Sequence, residues 1–256
     1  MSGKYEKKGS GKTGYSGLWK TVAALGAMLA LVLLVAGLKA AFSGENADPA
    51  EQITGDDRQE TVDISQAEQT NTFELSDGAV ITDIVSYTGV FMEDRTDEIV
   101  TDVLAIRVTN TGDEYIQTMD ITLTSGEHQA RFSVSTLFPG DTVIVLEKNR
   151  MACSTAPAFD RAETDAVVLF EEAPGMCEDR LEIQCLDGVI NVTNVSGEDI
   201  TGDILIYYKN YADDLYYGGI TYRLRIEGGL EAGQISQGMA AHFNSDNSRV
   251  VFVTCE

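Results

Sequence analysis

The feature that most constrains this chain is an uninterrupted apolar segment close to its N-terminus. Thr21 to Leu38 are eighteen uncharged, mostly apolar residues. A helix of this length rises roughly 27 Å, at about 1.5 Å per residue, and nearly spans a bilayer core of about 30 Å. Lys20 and Lys39 flank the segment. The pattern predicts one transmembrane helix over residues 19–40.

The charge on either side of this segment predicts its orientation. Residues 1–42 contain six lysines and one glutamate, which leaves 12 of the 18 basic and 40 of the 41 acidic residues for the rest. The positive-inside rule then makes residues 1–18 a cytoplasmic basic tail and places the C-terminal part outside the cell membrane. A cleaved secretory signal, with Val35-Ala36-Gly37 as its cleavage site, is the alternative, and it exports the same residues.

Composition excludes several classes of function. A net charge of −23 repels phosphate backbones, so nucleic-acid binding is not expected. With two histidines and no dense cluster of acidic, His and Cys residues, the sequence predicts no metal site, no cofactor, no catalytic residue and no enzymatic activity. The acidic run Glu93–Glu98 is predicted to be a solvated loop, with a calcium site as the alternative. His128 and His242 are predicted to be unpartnered and exposed.

The sequence downstream of the helix changes character at Phe73. Residues 41–72 have few large apolar side chains and many acids and amides, which predicts a disordered acidic stalk. From Phe73 onward, short apolar and β-branched runs are separated by Gly, Asn and Asp turns. This pattern predicts an all-β fold of two β-sandwich modules, residues 73–176 and 177–256. A single larger sandwich of the same strands is the alternative.

Two short motifs occur once in each predicted module. The first is Val-Thr-Asn followed by a turn, at residues 108–113 and 192–199. The second is a Leu-x-x-Gly-polar loop, at residues 137–141 and 230–234. The two modules are therefore predicted to be divergent copies of one β-unit.

The second module also resembles a known family. The matching residues are Gly188-Val189-Ile190-Asn191-Val192-Thr193-Asn194, Ile204-Leu205-Ile206-Tyr207-Tyr208-Lys209-Asn210 and Leu230-Glu231-Ala232-Gly233. They resemble the immunoglobulin-like, FxLYD-type extracytoplasmic domains of membrane-anchored bacterial proteins. The resemblance covers residues 185–254 and, less clearly, 99–148, and the Phe-x-Leu-Tyr-Asp string itself is absent. It implies tandem immunoglobulin-like sandwiches with a structural or interaction role.

Four cysteines, all beyond the membrane segment, are predicted to form structural disulfides because they lie in the compartment where disulfides persist. They are Cys153, Cys177, Cys185 and Cys255. Of the three possible pairings, we favour Cys185 with Cys255, since the terminal strands of a sandwich often lie side by side. That choice leaves Cys153 with Cys177.

Six of the ten tyrosines fall within residues 207–222. Tyrosine offers rigid contact area with a polar tip, so Tyr207, Tyr211, Tyr216 and Tyr217 are candidate contacts for a partner. The alternative is that these side chains cover the sandwich core or its edge.

From these features together we expect a non-catalytic interaction or scaffolding protein of the bacterial cell envelope, bound to the lipid bilayer through its anchor and to an envelope protein. A surface adhesin or sensor head that binds a glycan or peptide is the alternative.

Overall fold

The structure is a computed structural model, and it describes residues 62–66 and 72–255. These residues form fourteen strands and two short 3₁₀ turns, Ser76–Gly78 and Cys153–Thr155, so the predicted all-β fold is confirmed. The strands are β1 (Asp63–Gln66), β2 (Phe73–Glu74), β3 (Ala79–Val90), β4 (Ile99–Asn110), β5 (Ile116–Ser125), β6 (His128–Leu137), β7 (Thr142–Leu146), β8 (Arg161–Leu169), β9 (Leu181–Leu186), β10 (Val189–Asn194), β11 (Ile204–Ala212), β12 (Leu215–Ile226), β13 (Ile235–Met239) and β14 (Ser248–Cys255).

The predicted N-terminal segments fall mainly outside these ranges. The basic tail and the transmembrane helix over residues 19–40 lie outside the described residues. Within the described ranges, no helix is long and apolar enough to cross a membrane. Part of the predicted stalk is a strand, because β1 pairs antiparallel with β3, Ile64 lying opposite Tyr87.

The side-chain pattern explains why particular segments form strands. In β6, Ala130, Phe132 and Val134 are fully buried and alternate with more exposed neighbours, as a strand with one buried face requires. In β7 every residue from Val143 to Leu146 is fully buried. Such a continuous apolar run fits a central strand that is covered on both faces.

The strands form three sheets. The largest has the order β1-β3-β4-β7-β12-β11-β14, with β2 beside β3, and the two smaller sheets have the orders β6-β5-β8 and β13-β10-β9. One core cluster lies between strands β3, β4 and β7 and the sheet β6-β5-β8. A second joins strands β11, β12 and β14 to β9 and β10. A third cluster covers the other face of β3, β4 and β7.

The described chain contains the same six-strand arrangement twice. Strands β3 to β8, which we call the first repeat, pair in the orders β3-β4-β7 and β6-β5-β8. Strands β9 to β14, the second repeat, pair in the matching orders β9-β10-β13 and β12-β11-β14. The predicted boundary between residues 176 and 177 falls between the repeats. The large sheet takes three strands from each repeat.

A buried asparagine connects two loops of the first repeat by hydrogen bonds. Asn110 is fully buried, and its amide nitrogen donates to the carbonyl oxygens of Glu114 (2.8 Å) and Leu137 (3.1 Å). Its side-chain oxygen accepts a hydrogen bond from the Gly112 amide, and its backbone oxygen accepts one from Gly140. Asn110 therefore ties both predicted motifs together, since one motif contains it and the other contains Leu137 and Gly140.

Asn194 makes the corresponding contacts in the second repeat. Its amide nitrogen donates to the carbonyl oxygens of Glu198 (2.8 Å) and Leu230 (2.9 Å). Its side-chain oxygen accepts from the Ser196 amide, and its backbone oxygen accepts from Gly233. In each repeat, the two sequence motifs are thus joined by the same arrangement of hydrogen bonds.

We expect Asn110→Ala to destabilise the full-length chain by about 2–3 kcal/mol, because it leaves buried carbonyl oxygens without donors. Asn194→Ala should have a similar effect. The exposed Gln129→Ala variant is the control and should change stability by less than about 0.5 kcal/mol. Urea unfolding followed by circular dichroism measures all three. Equal midpoints for Asn110→Ala and Gln129→Ala would contradict the role assigned to this asparagine.

Candidate functional site at the junction of the two repeats

The tyrosine-rich segment is a long antiparallel hairpin formed by β11 and β12. Ala212 lies opposite Leu215, so the turn consists of Asp213 and Asp214, which have φ angles of 50° and 61°. Positive φ at both central residues is the geometry of a type I′ turn, which suits the twist of the flanking strands. Both aspartates are exposed, so the hairpin ends in an acidic tip.

The structure places the four candidate contact tyrosines in different environments. Tyr216 and Tyr217 are 7% and 9% exposed and belong to the first and third core clusters. Tyr207 and Tyr211 are half-buried. Burial raises the pKa of Tyr216 to about 12. The alternative offered by the sequence, that strand tyrosines cover the core, therefore describes Tyr216 and Tyr217.

Tyr211 lies near the hairpin tip and is the candidate with the most polar surroundings. Its hydroxyl donates to the Asp214 carboxylate (2.9 Å). The Arg249 guanidinium lies 3.6 Å from the centre of its ring, within the range of a cation–π contact. Its ring also meets Tyr216 edge to face, with centroids 5.1 Å apart. Tyr211 is thus held on three sides by contacts within the second repeat.

Tyr207 belongs to a cluster of five aromatic rings that joins the repeats. Its ring stacks on Phe252 with centroids 4.0 Å apart. Phe252 in turn meets Phe138 and Phe170 of the first repeat at 6.2 and 5.3 Å, and Phe138 meets Tyr115 at 5.3 Å. Tyr207 and Phe252 come from the second repeat. Aromatic pairs at these separations stabilise an interface beyond their buried area.

A short parallel ladder continues one repeat's sheet into the other. β12 pairs with β7, with Tyr216 opposite Val143 and Tyr217 opposite Ile144. Glu93, in the loop between β3 and β4, extends this connection. Its carboxylate accepts hydrogen bonds from the backbone amides of Leu146 in β7 (2.9 Å) and Gly219 in β12 (2.9 and 3.1 Å). Glu93 therefore bridges the two strands where their direct pairing ends.

The repeats approach each other closely at Gly219. A Cβ atom added to Gly219 would lie 1.8 Å from the carbonyl oxygen of Ser133 in the first repeat. Beside it, the Ser135 hydroxyl hydrogen-bonds with the Gly219 carbonyl oxygen and the Thr221 hydroxyl, each at 2.9 Å. Only glycine fits at this position without moving the backbones apart.

A fully buried lysine lies at the centre of the junction. Lys209 in β11 is 0% exposed, and its amine donates to the Ser135 carbonyl oxygen at 2.7 Å. Burial lowers the pKa of Lys209 to about 8, against the attraction of Glu93 and Asp141, which favours the charged amine. Removal from water raises the pKa of both Glu93 and Asp141, although backbone hydrogen bonds and Lys209 oppose the shift. Lys209 of the second repeat is therefore coupled electrostatically to two acids of the first repeat, and we call these three residues the junction cluster.

The acidic run Glu93–Glu98 is only partly the solvated loop that the sequence predicts. Arg150 binds Asp94 at 2.7 Å and Glu98 at 2.6 Å, whereas Glu93 faces the junction. Asp97 lies 3.3 Å from His242 of the second repeat. The prediction that His242 is unpartnered is therefore wrong. Among the described residues, no group of three His, Cys, Asp or Glu side chains is placed to hold a metal ion.

The four cysteines are free thiols in the structure, so the disulfides stay predictions. Cys153 lies in the first repeat, and burial raises its pKa, as does the nearby charge of Asp102. Cys185 lies in β9, where burial raises its pKa. Burial raises the pKa of Cys177 to about 12, and the neighbouring Cys255 thiol contributes to the shift, a combination that differs from both favoured pairs.

Sequence reasoning missed the residues that form the junction. In the sequence, Lys209 belongs to one of the segments that resemble the FxLYD-type family and Glu93 begins an acidic run, and neither is predicted to join the repeats. A lysine within a strand otherwise rich in apolar and aromatic residues was the available signal.

A comparison of the chain with known protein families, curated proteins and solved structures finds no match.

The buried amine predicts a distinct pH dependence of stability. The folded chain releases the Lys209 proton near pH 8, whereas the unfolded chain keeps it until about pH 10.5. Because the unfolded state binds more protons in this window, the stability of the wild type should rise relative to that of Lys209→Met as pH increases from 8 to 10.5. The expected gain is about 3 kcal/mol.

The test is urea unfolding of the full-length wild type and Lys209→Met at several pH values. Lys148→Met is the matched control, because Lys148 is exposed and its ion pair with Asp120 lies at the surface. The difference between the wild type and Lys148→Met should stay constant over the same window. A constant difference for Lys209→Met as well would show that Lys209 keeps an ordinary pKa.

Proposed function

We propose that this protein is a membrane-anchored, extracytoplasmic interaction or scaffolding protein of the bacterial cell envelope. In this proposal residues 19–40 anchor the chain in the cytoplasmic membrane, and the two repeats are immunoglobulin-like β-sandwiches related to FxLYD-type domains. The apolar segment and the charge distribution support the anchor. In each repeat a core lies between two groups of three paired strands, which supports the sandwich assignment.

The main support for a non-catalytic role is that the titratable side chains Glu93 and Lys209 bind backbone groups at the junction. Perturbed pKa values in a cluster of charged residues can mark a catalytic site. Here the Glu93 carboxylate binds two backbone segments, and the fully buried Lys209 amine binds the Ser135 carbonyl oxygen. These contacts hold the repeats together. The charged groups therefore make the pair of repeats rigid, as a spacer or scaffold requires.

The part of the hairpin that remains available to a partner is its tip. Asp213 and Asp214 are exposed, and Tyr211 beside them is half-buried. Tyr216 and Tyr217 are buried in core clusters, and Tyr207 stacks on Phe252 in the aromatic cluster that joins the repeats. We therefore place the candidate contact at Tyr211 and the acidic tip, with an envelope protein as the partner.

Protease protection tests the membrane topology. A full-length chain with one epitope tag at each end is expressed in bacteria, and protoplasts are treated with proteinase K. We expect loss of the C-terminal tag and protection of the N-terminal tag until detergent is added. Protection of both tags in intact protoplasts would contradict an exported C-terminal part. Release of a C-terminal product that lacks the N-terminal tag, before protease is added, would indicate a cleaved signal.

Site-specific photocrosslinking tests the contact surface. A benzophenone amino acid is placed at Tyr211 in the full-length membrane protein, and the matched control carries it at Met239, which is 75% exposed on β13. We expect a discrete light-dependent adduct with an envelope protein at position 211 and none at 239. An adduct competed by a soluble glycan or peptide would favour an adhesin or sensor head. Equal labelling from both positions would argue against a specific contact at the tip.

A further inference from the structure

The last strand of the chain returns to the segment that precedes β9. The Val253 amide donates to the Gly175 carbonyl oxygen at 2.9 Å. The Cys177 thiol donates to the Val253 carbonyl oxygen at 3.4 Å. Residues 175–177 therefore run beside the end of β14, and Cys177 lies next to a residue only two positions before Cys255.

This arrangement brings two thiols together. Residues two apart in a strand point to the same face, so Cys255 is on the same side of β14 as Val253. The Cys255 thiol is close enough to Cys177 to influence its pKa, and both side chains are partly buried against the second core cluster.

Hydrogen bonds from Arg180 hold the chain at both cysteines. Arg180 Nη1 donates to the Cys255 carbonyl oxygen at 3.1 Å and to the Cys255 Sγ at 3.4 Å. The backbone amides of Arg180 and Leu181 both donate to the Cys177 carbonyl oxygen, at 2.9 and 2.8 Å. Arg180 thus holds Cys255 with its side chain and Cys177 with its backbone. The two thiols are free, so oxidation requires their side chains to move together.

We propose that Cys177 and Cys255 form a reversible disulfide that ties the last strand to the segment between the repeats. The oxidant is a disulfide compound of the glutathione type. Cys255 attacks one of its sulfur atoms and releases one thiol, and Cys177 then attacks the Cys255 sulfur and releases the second. The two protein thiols lose two electrons and two protons, and the oxidant's S–S bond becomes two thiols.

The order of attack follows from the environment of Cys177. Burial, together with the hydrogen bond to Cys255, raises the pKa of Cys177 to about 12. A thiol in this state is a poor first nucleophile. Once Cys255 carries the glutathione group, the nearby sulfur of Cys177 reacts within the same molecule.

The disulfide would act on the junction as well as on the second repeat. β14 carries Phe252, which belongs to the five-ring cluster. A covalent bond at Cys255 restrains the C-terminal end of this strand. Oxidation should therefore make the second repeat and its contact with the first repeat more resistant to unfolding.

Tryptic mapping identifies the pairing directly, because each cysteine lies in a separate tryptic peptide. These peptides span residues 151–161, 162–180, 181–209 and 250–256. The full-length protein is incubated with oxidised glutathione, alkylated with N-ethylmaleimide, digested and analysed by mass spectrometry. We expect peptide 162–180 linked to peptide 250–256, with alkylated Cys153 and Cys185. A link from 151–161 to 162–180, a link from 181–209 to 250–256, or no linked peptide would overturn the proposal.

Serine variants provide a second readout. Oxidation should raise the urea midpoint of the wild type, Cys153→Ser and Cys185→Ser, and leave that of Cys177→Ser and Cys255→Ser unchanged. Circular dichroism of the reduced variants first establishes that each is folded, and Cys255→Ala replaces a variant that is not. An oxidation-dependent increase that persists without Cys177 or Cys255 would also overturn the proposal.

Discussion

The burial of one positive charge is the constraint on which the junction depends. Removing an amine from water costs several kcal/mol unless hydrogen bonds and opposite charges compensate. Lys209 belongs to the second repeat, but its hydrogen-bond acceptor, Ser135, and the neighbouring acids, Glu93 and Asp141, belong to the first. Separation of the repeats would leave Lys209 without its acceptor and its neighbouring acids, and would remove the Gly219 amide from Glu93. The repeats are therefore coupled by electrostatics as well as by the aromatic cluster and the β7–β12 ladder.

The two repeats differ most where they meet. In the first repeat Asp141 accepts a hydrogen bond from the Phe138 amide, and in the second repeat Gln234 accepts the same bond from Glu231. The Asp141 carboxylate makes this contact and also attracts Lys209. A neutral amide such as that of Gln234 would attract the lysine less strongly. The β3–β4 connection shows the same divergence, because residues 91–98 replace the two-residue turn between β9 and β10. The shared parts maintain each repeat's fold, and the altered parts join the repeats.

The elements that the sequence predicts correctly are those with local causes. Alternating apolar residues predict most strands, and the Asn and Leu-x-x-Gly motifs predict the repeat, because each is set by neighbouring residues. The pairing of β7 with β12 has no local signal, since any apolar strand offers the same backbone groups. Lys209 was missed for a related reason. A register irregularity in β11 between Tyr208 and Asn210 interrupts the alternation, so Tyr208 and Lys209 are both buried although they are adjacent.

The tyrosine-rich hairpin shows why composition alone does not identify a binding surface. Aromatic side chains favour contact areas between folded units, whether the units belong to two proteins or to one chain. In this chain Tyr207 faces the first repeat's aromatic rings, and Tyr216 and Tyr217 fill core clusters that include first-repeat strands. Much of the tyrosine signal is therefore explained by an interface within the molecule. Tyr211 packs against the first core cluster with its ring, but its polar contacts with Arg249 and Asp214 are within the second repeat, so a partner could engage this position while the junction stays closed.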